Sequence, residues 1–460
     1  MPNLTLTAWL GMTVRNLLFG PVLSQLQADF DLTILSYYEE PLKLLPNIHT
    51  KTIHHLSWSY PRWALPKCRG TLARWLDEWE YHGFYQVHRP TIADRVLMEK
   101  RSTNTIKYFS DHIGGWVVNR LRDNFETDIL RDLAYSIPKH FFLDKFKNTE
   151  VFLVASIDVQ KDKELIYSCK KFGIPIVALV HSWDNLPAQG YLSCKPDRLL
   201  VWNEQMAHEA ETLHGMDRDH IDIVGGPQYQ AYRSLSSQTD NYSFRDSLQV
   251  PANYHIVTYA CTLNCFLPDE PLFIDLLVEA ILEGCLGNTI LILRFHPHSP
   301  YTAMYIEKYA NDNIPVRFHY ADDNFAAEHT GAIGTPASIV SFVELMQYSD
   351  VVINHASTIA LDAVLFDTPA VCIKFSLTPP KRRWENVNYS YHTSHYQSIL
   401  DSGAVEFPES IEELFDTLKR LLSSPGDKKA ARESLVQSQI PNLPTAELIS
   451  KSVMQALEDR

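Results

Sequence analysis

Short apolar runs alternate with longer stretches of helical spacing in the first half of the chain. The chain opens with an apolar run at residues 4–10, a helical stretch over 13–30 and a second apolar run at 32–37, which predicts strand, helix, strand. Residues 62–145 are rich in Trp, Arg and Leu at helical spacing and predict several extra helices, with a long one over 93–123. Helical spacers also separate the later apolar runs, which suits parallel strands at 151–156, 174–180, 198–202 and 221–224.

A second series of the same kind begins after Pro251. Its apolar runs predict strands at residues 255–260, 290–295, 316–320, 351–354 and 370–375. Helical segments fall between these runs, at 270–284, 301–310, 338–348 and 358–366. The polar stretch 234–242 (SLSSQTDNY) separates the two series and is the predicted interdomain linker. Residues 411–460 look helical, and such tails commonly pack back across a domain boundary.

The two series predict an α/β protein with two Rossmann-like domains facing a central cleft, a GT-B-like architecture. We expect an N-terminal, acceptor-side domain with extra helices at 1–235, a C-terminal, nucleotide-donor domain at 245–440 and a helical tail at 441–460. Ligands of open α/β sheets bind at the carboxyl ends of the strands. The residues that follow the strands are therefore the candidates for function.

The composition narrows the class of protein. Of the 460 residues, 45% are hydrophobic, which is ample for large cores, and the net charge of −14 argues against a nucleic-acid partner. No apolar stretch reaches the roughly 18 residues of a membrane span, and the first residues lack the basic region of a signal peptide. The seven cysteines form no spaced framework, which is typical of reduced thiols. We therefore expect a cytoplasmic protein.

The clearest candidate site lies at residues 349–363 (SDVVINHASTIALDA), where an apolar strand runs into a helix. A hydroxyl can cap that helix, and its free amides and dipole attract an anion such as a pyrophosphate. Asp362, in the following turn, could reach a ribose hydroxyl. An ordinary capped helix is the alternative interpretation. The candidate donor-binding residues between strand and helix are Asn354, His355, Ser357 and Thr358.

A second candidate, RFHPH, directly follows the strand at 290–293 and contains Arg294, His296 and His298. These side chains are costly to bury without a partner, and phosphate is a natural one because a guanidinium grips it with two N–H bonds. Two histidines two residues apart also suit a metal ion, but no third ligand is evident nearby, so we expect no metal site. A structural role for the group is the remaining alternative.

The third candidate is the segment VHSWDNL at 180–186, which ends the strand at 174–179. We expect His181 to face the interdomain cleft and Asp184 to orient it. A neutral imidazole is suited to taking a proton from an acceptor hydroxyl. A hydrogen-bonded histidine of the core is the alternative interpretation.

Three weaker signals complete the set. The segment VGGPQ at 224–228 allows a tight turn, close backbone approach or a hinge, through Gly225, Gly226 and Pro227. Thr262 holds the matching place after the first strand of the second domain and is expected to bind the donor. The cluster KRRW at 381–384 suits an anionic acceptor or lipid headgroups, with a solvated loop as the alternative.

These motifs, in this order, resemble bacterial surface-polysaccharide transferases related to the CDP-glycerol glycerophosphotransferases. The resemblance covers roughly residues 150–375 and rests on HSWDNL, KPDRLLVWNEQMAHEA, IDIVGGPQY, RFHPH and SDVVINHASTIALDAVLFDTPAVCIKF. It implies a GT-B fold and metal-independent transfer from a nucleotide donor, with His181 as base. It also implies that Arg294, His296, Ser357 and Thr358 surround the diphosphate.

Two departures favour a sugar over glycerophosphate as the transferred group. The glycerophosphate polymerases commonly carry His-Gly at the base position, where this chain has His181-Ser182, and Gln230 stands where an acidic residue is expected. The leading hypothesis is therefore a glycosyltransferase that needs no cofactor. It moves a sugar from a nucleotide-diphosphate donor to a hydroxyl of a surface glycan or glycolipid, with peripheral contact at the inner membrane face. The alternatives are a CDP-glycerol-type polyol-phosphate transferase, a UDP-N-acetylglucosamine 2-epimerase-like enzyme and a non-catalytic nucleotide-sugar-binding subunit.

Overall fold

A computed structural model describes most of the chain, and the structural statements below concern the described residues. These are 1–36, 53–54, 127–188, 192, 194–263, 266–296, 299, 301–311, 313–320, 335–380 and 386–459. The predicted helix over 93–123, His298 and the KRRW cluster lie outside them. Contacts divide the chain into two compact units, Met1–Gln228 with Leu443–Arg460, and Tyr229–Asn442.

Unit 1 is built on a parallel sheet of seven strands in the order β3-β2-β1-β4-β5-β6-β7. Most of its strand residues are buried, which explains why the strands read as nearly continuous apolar runs. The strands are β1 (Asn3–Ala8), β2 (Asp31–Ser36), β3 (Ile53–His54), β4 (Val151–Val154), β5 (Ile176–Leu179), β6 (Arg198–Val201) and β7 (Ile221–Ile223).

The described helices of unit 1 alternate with these strands and cover the sheet. They begin with α1 (Gly11–Thr13), which continues into a π-helical turn, Val14–Leu18, and then α2 (Pro21–Asp29). The others are α3 (Thr127–Tyr135), α4 (Lys139–Lys145), α5 (Gln160–Phe172), α6 (Asn185–Ala188), α7 (Glu204–His214) and a 3₁₀ turn, Arg218–His220.

Unit 2 is built on a parallel sheet of five strands in the order β10-β9-β8-β11-β12. Its strands are β8 (His255–Ala260), β9 (Thr289–Arg294), β10 (Val316–His319), β11 (Val351–Asn354) and β12 (Ala370–Cys372). The helices are α8 (Pro227–Ser236, which begins at the unit boundary), α9 (Asn241–Ser247), α10 (Glu270–Leu282), α11 (Thr302–Tyr309), α12 (Pro336–Tyr348), α13 (Ile359–Val364), α14 (Asn388–Tyr391), α15 (Ser394–Ser402), α16 (Ile411–Ser423) and α17 (Lys429–Gln439).

The last helix, α18 (Thr445–Glu458), returns to unit 1. It packs against α2 and strands β4–β6, and its Ser450 hydroxyl donates to Asp29. Nη1 of Arg198 on β6 donates to Asp459 just beyond the helix, at 3.2 Å. The polar stretch 234–242 holds the end of α8 and the start of α9, and the first unit boundary falls directly after VGGPQ, between Gln228 and Tyr229.

In each sheet, the strand that comes first in the chain has the second strand on one side and the fourth on the other. This order places one topological switch point between β1 and β4 and another between β8 and β11. The prediction of two Rossmann-like sheets with a helical C-terminal region is confirmed. In the described part of the chain, no helix is both long and apolar enough to span a membrane.

Candidate functional site

The candidate residues collect at the carboxyl ends of the two sheets, one set in each unit. In unit 1, His181 follows β5. In unit 2, Thr262 follows β8, Arg294 ends β9 and Asn354 ends β11. Because β8 has β9 on one side and β11 on the other, the unit 2 residues converge on the switch point.

His181 is buried beside a carboxylate that comes from the neighbouring strand end. Its Nδ1 lies 3.6 Å from Oδ1 of Asp158, and its side chain is 6% exposed against 28% for Asp158. The separation is longer than a hydrogen bond, and catalytic contacts often tighten when substrate binds. Asp158 was not among the predicted residues, because only the pairing of β4 with β5 brings it next to His181.

Ser156 fixes the position of Asp158. Its hydroxyl donates to Oδ1 of Asp158 and accepts from the amides of Asp158 and Val159, each at 3.2 Å. The turn after β4 therefore presents the carboxylate from a hydrogen-bonded loop rather than from a free side chain.

Asp184, the residue predicted to orient His181, accepts a hydrogen bond from the Ser182 hydroxyl. The Ser182 amide donates to Oδ1 of Asn185 at 2.9 Å, so the segment forms a compact turn into α6. The carboxylate that the structure places at ion-pair distance from the imidazole is Asp158.

A second carboxyl group lies at the β1/β4 switch point. Oδ1 of Asp162 accepts from Nε1 of Trp9 at 2.7 Å, and the Asp162 side chain is fully buried. Burial raises the pKa of this carboxyl to about 8, against the hydrogen bonds of Thr7 and Trp9, which lower it. Asp162 is therefore predominantly a neutral acid at pH 7.

Arg294 is held in a fixed plane at the end of β9. Its Nη1 donates to Nδ1 of His319 at 2.7 Å, and its guanidinium carbon lies 4.4 Å from the centroid of the Phe342 ring. His319 donates in turn from Nε2 to Oγ of Ser341 at 2.9 Å. Burial, helped by the Arg294 charge, lowers the pKa of His319 to about 3, so the imidazole stays neutral and accepting.

Thr262 lies in a loop held by a buried glutamate. Its amide donates to Oε1 of Glu270 at 2.6 Å, and Oε2 accepts from the Tyr305 hydroxyl at 3.3 Å. Burial raises the pKa of Glu270 to about 8, against the hydrogen bonds of Thr262 and Tyr305. The loop after β8 is thus anchored to α10 through Glu270.

The loop after β11 satisfies several of its own amides. The Ala356 amide donates to the Tyr391 hydroxyl at 3.1 Å, and that of Ser357 to Oδ1 of Asn354 at 3.2 Å. The Ile359 amide donates to Oγ of Ser357 at 3.3 Å. These three amides therefore have acceptors within the protein, contrary to the expectation of free N–H groups. The last two bonds are long, and a stronger acceptor can displace them.

The same loop carries backbone strain. Ala356 has φ of +41°, a left-handed conformation that non-glycine residues seldom adopt. Thr358 is the N-cap of α13 but makes no side-chain cap bond, and Asp362 is buried in the first turn of that helix. Strained residues of this kind cluster at ligand sites.

Two histidines follow the strands of unit 2 closely. His355 is buried, and its Nδ1 donates to the carbonyl of Ile373 at 3.3 Å. Burial lowers the pKa of His355 to about 4. His296 is half-buried, and its carbonyl accepts from the Ser299 amide at 2.9 Å.

Gly225 packs against the returning C-terminal segment. Its φ is +83°, and a Cβ added there would lie 2.7 Å from Oγ1 of Thr445. Gly226 is buried next to it, and Pro227 begins α8. The described contact of this turn is therefore internal to unit 1. Across the described ranges, no group of three or more His, Cys, Asp and Glu residues is placed to hold a metal ion.

No family model and no curated protein matches the chain, but solved structures match it in fold. A Listeria monocytogenes protein assigned as a UDP-N-acetylglucosamine 2-epimerase has a TM-score of 0.55 at 11% identity, over 100% of this chain and 97% of that one. The UDP-N-acetylglucosamine 2-epimerase of Neisseria meningitidis, solved with UDP-GlcNAc, has 0.51 at 11% identity, over 99% and 100%. A glycosyltransferase of Rickettsia africae has 0.50 at 11% identity, over 100% and 98%. At these identities the likeness concerns the fold alone: two parallel-sheet α/β units with a helical C-terminal region, as in GT-B-like proteins.

Proposed function

We propose that the chain is a glycosyltransferase that moves a sugar from a nucleotide-diphosphate donor to a hydroxyl of a glycan or glycolipid. The observation that carries this proposal is the buried His181 with Asp158 beside its Nδ1, at the carboxyl edge of a Rossmann-like sheet. A histidine backed by a carboxylate is suited to general-base chemistry on a hydroxyl group.

In the proposed reaction, Nε2 of His181 accepts the proton of the acceptor hydroxyl. The hydroxyl oxygen forms a bond to the donor carbon of the sugar, and the bond from that carbon to the phosphate oxygen breaks. The electron pair leaves with the diphosphate. Asp158, close to Nδ1, stabilises the imidazolium that forms.

Unit 2 is the proposed nucleotide-binding unit. Arg294 supplies a fixed guanidinium, which suits the charge that develops on a leaving phosphate. The hydroxyls of Ser357 and Thr358 and the strained turn at Ala356 follow β11, which lies on the other side of β8 from β9. Thr262, His296, Asn354 and Asp362 complete the proposed donor contacts. The reaction as proposed requires no metal ion or other cofactor.

A nucleotide-sugar 2-epimerase is the second candidate. Two of the three compared structures are assigned as UDP-N-acetylglucosamine 2-epimerases, and one was solved with UDP-GlcNAc. Against this candidate, the chain lacks a His-Val-Glu-Ala-Gly-type segment. A third candidate, transfer of a polyol phosphate, differs in that the acceptor attacks phosphorus.

The acceptor and the location also belong to the proposal. We propose a cytoplasmic enzyme that meets a lipid-linked or surface-glycan acceptor at the inner membrane face. The net charge of −14 supports the absence of a nucleic-acid partner.

The experiment is a panel of nucleoside diphosphates and their sugars, with binding read by thermal shift. The nucleotide sugars that bind are then incubated with and without candidate acceptors. A transferase releases the nucleoside diphosphate faster with an acceptor and yields a larger glycan, whereas an epimerase changes the sugar without an acceptor. His181→Ala should lower kcat by about 10²- to 10⁴-fold while donor Kd stays within a few-fold. Full turnover by a folded His181→Ala protein would exclude His181 as the base.

A further inference from the structure

Among the described residues, two buried hydrogen-bond acceptors in unit 2 have no donor. They are Nε2 of His355 and Oδ1 of Asp269, and both side chains are only 5% exposed. Leaving such a group without a donor is energetically costly, because the group has given up its hydrogen bonds to water. Buried polar atoms without partners are rare in folded proteins, and each calls for an explanation.

The protonation of His355 follows from its other nitrogen. Nδ1 lies 3.3 Å from the carbonyl oxygen of Ile373, which only accepts, so Nδ1 carries the proton. Burial lowers the pKa of the ring to about 4, so it carries one proton at neutral pH. Nε2 therefore offers a lone pair, and the ring is held edge to face against Tyr391 at 5.6 Å.

The orientation of Asp269 follows from its other oxygen. Oδ2 accepts from the amides of Leu377 and Thr378 at 2.6 and 2.9 Å, which fixes the carboxylate plane. Asp269 immediately precedes α10, so its backbone is set by that helix. Oδ1 is therefore held in place as an acceptor without a donor.

The two acceptors belong to the same switch point. α10 follows β8, and His355 follows β11, the neighbour of β8 in the sheet. The groups are close enough for the Asp269 charge to act on the imidazole, raising its pKa against the effect of burial. Two acceptors at one site call for a ligand that brings hydrogen-bond donors.

We propose that Asp269 and His355 bind neighbouring hydroxyl groups of the donor, on the ribose or on the transferred sugar. This assignment rests on the proposed function. It gives the charged and the hydroxyl-bearing parts of the donor different binding residues. At neutral pH, a phosphate offers only hydrogen-bond acceptors, and the carboxylate of Asp269 repels its negative charge. Hydroxyl groups donate to both atoms. The diphosphate therefore belongs with Arg294, and the sugar or ribose with Asp269 and His355.

The test uses three substitutions in the full chain. Asp269→Asn keeps a carbonyl oxygen for the two backbone amides and places an NH₂ group at Oδ1. His355→Phe keeps the ring and removes the acceptor, and Ile373 retains its bond from Tyr391. Asp275→Asn is the matched control, since this aspartate lies on α10, the helix that Asp269 precedes, but pairs with Lys308 at 2.6 Å. Thermal unfolding checks that each variant folds.

Isothermal titration compares the best nucleotide sugar of the panel with its nucleoside diphosphate. We expect Asp269→Asn and His355→Phe to weaken nucleotide-sugar binding by about 10- to 100-fold, and Asp275→Asn to leave it unchanged. If only the nucleotide sugar is affected, the site binds the transferred sugar. If the nucleoside diphosphate loses affinity equally, the site binds the ribose.

Two results would overturn the inference in different ways. Unchanged Kd values in folded Asp269→Asn and His355→Phe would show that nucleotide binds but its hydroxyls lie elsewhere. If wild type binds no nucleotide, the proposed function fails, and titrations with free methyl glycosides and ribose decide the site. If a methyl glycoside or ribose binds to wild type and Asp269→Asn abolishes that binding, the result supports a hydroxyl site. If neither the glycosides nor ribose bind, the inference is overturned.

Discussion

Nη1 of Arg294 lies 2.7 Å from Nδ1 of His319, and this hydrogen bond requires the imidazole to accept. His319 therefore acts as a neutral support that aligns the guanidinium plane over Phe342. A lysine at position 294 would keep the charge but lose the planar stacking and the fork of donors. For phosphate binding, the planar guanidinium at position 294 should consequently matter more than its positive charge alone.

Arg294→Ala should weaken binding of the nucleoside diphosphate by about tenfold or more, and Arg294→Lys should recover only part of the loss. Arg317→Lys is the control, because Arg317 lies on the neighbouring strand β10 and donates to the carbonyl of Leu248 at 3.0 Å. Equal Kd values for wild type and Arg294→Lys would mean that charge alone suffices. Unchanged affinity in Arg294→Ala would move the phosphate site elsewhere.

Asp158→Asn should lower kcat by about 10- to 100-fold with little effect on donor Kd, because the imidazolium loses its neighbouring negative charge. Asp184→Asn, in the turn after His181, is the comparison. A large effect of Asp184→Asn with none from Asp158→Asn would restore the orientation predicted from the sequence.

Asp162 should make unit 1 less stable as pH rises. Its pKa is raised from 3.8 to about 8, so the folded state holds a proton that the unfolded state has released between these values. The free energy of unfolding then falls as pH rises through this window. Asp162→Asn keeps the acceptor for Trp9 and should gain stability relative to wild type between pH 5 and 8, measured by urea unfolding. A constant difference across that range would contradict the prediction. Asp132→Asn controls for the loss of a carboxylate.

Gly225→Ala should destabilise the protein for two reasons that a second variant separates. The φ of +83° costs about 1 kcal/mol for alanine, and the Cβ would lie 2.7 Å from Oγ1 of Thr445. Gly173 also has positive φ, +70°, but an added Cβ there would have no neighbour within 4 Å among the described residues. Gly173→Ala should therefore lose only the stability that the positive φ costs. Gly225→Ala should lose about 1–3 kcal/mol more, because of the contact with Thr445. Equal losses in urea unfolding would show that Thr445 gives way freely.

The sheets could be predicted from the sequence because their strands are buried and flanked by helices of clear periodicity. The predicted run at 255–260 coincides with β8, and the run at 351–354 with β11. The tail at 411–460 was predicted only as helical, and it forms three helices with Pro425, Gly426 and Pro441 between them. Its last helix belongs to unit 1, which depends on packing rather than on local sequence.

Residues of the candidate site could be predicted only where a side chain of suitable chemistry ends or directly follows a strand in the sequence. His181 and Arg294 directly follow or end apolar runs, and the structure places both at carboxyl edges. Asp158 precedes the polar stretch Gln160–Glu164 and looks like part of a solvated turn. Asp269 and Glu270 look like an acidic first helical turn, a pattern that favours helix formation on its own. Their burial arises from long-range packing, which spacing does not encode.

The discontinuous course of unit 1 has a consequence for how the protein is made. Residues 229–442 form unit 2 as one stretch, whereas unit 1 needs residues 443–460 as well. During synthesis, α18 emerges only after the whole of unit 2, so its buried side chains Ile449, Val453 and Ala456 reach their sites on unit 1 after unit 2 has been made. Until then, the nascent chain carries an uncovered apolar face, of the kind that chaperones bind and that promotes aggregation. Unit 2 can be complete before the unit that precedes it.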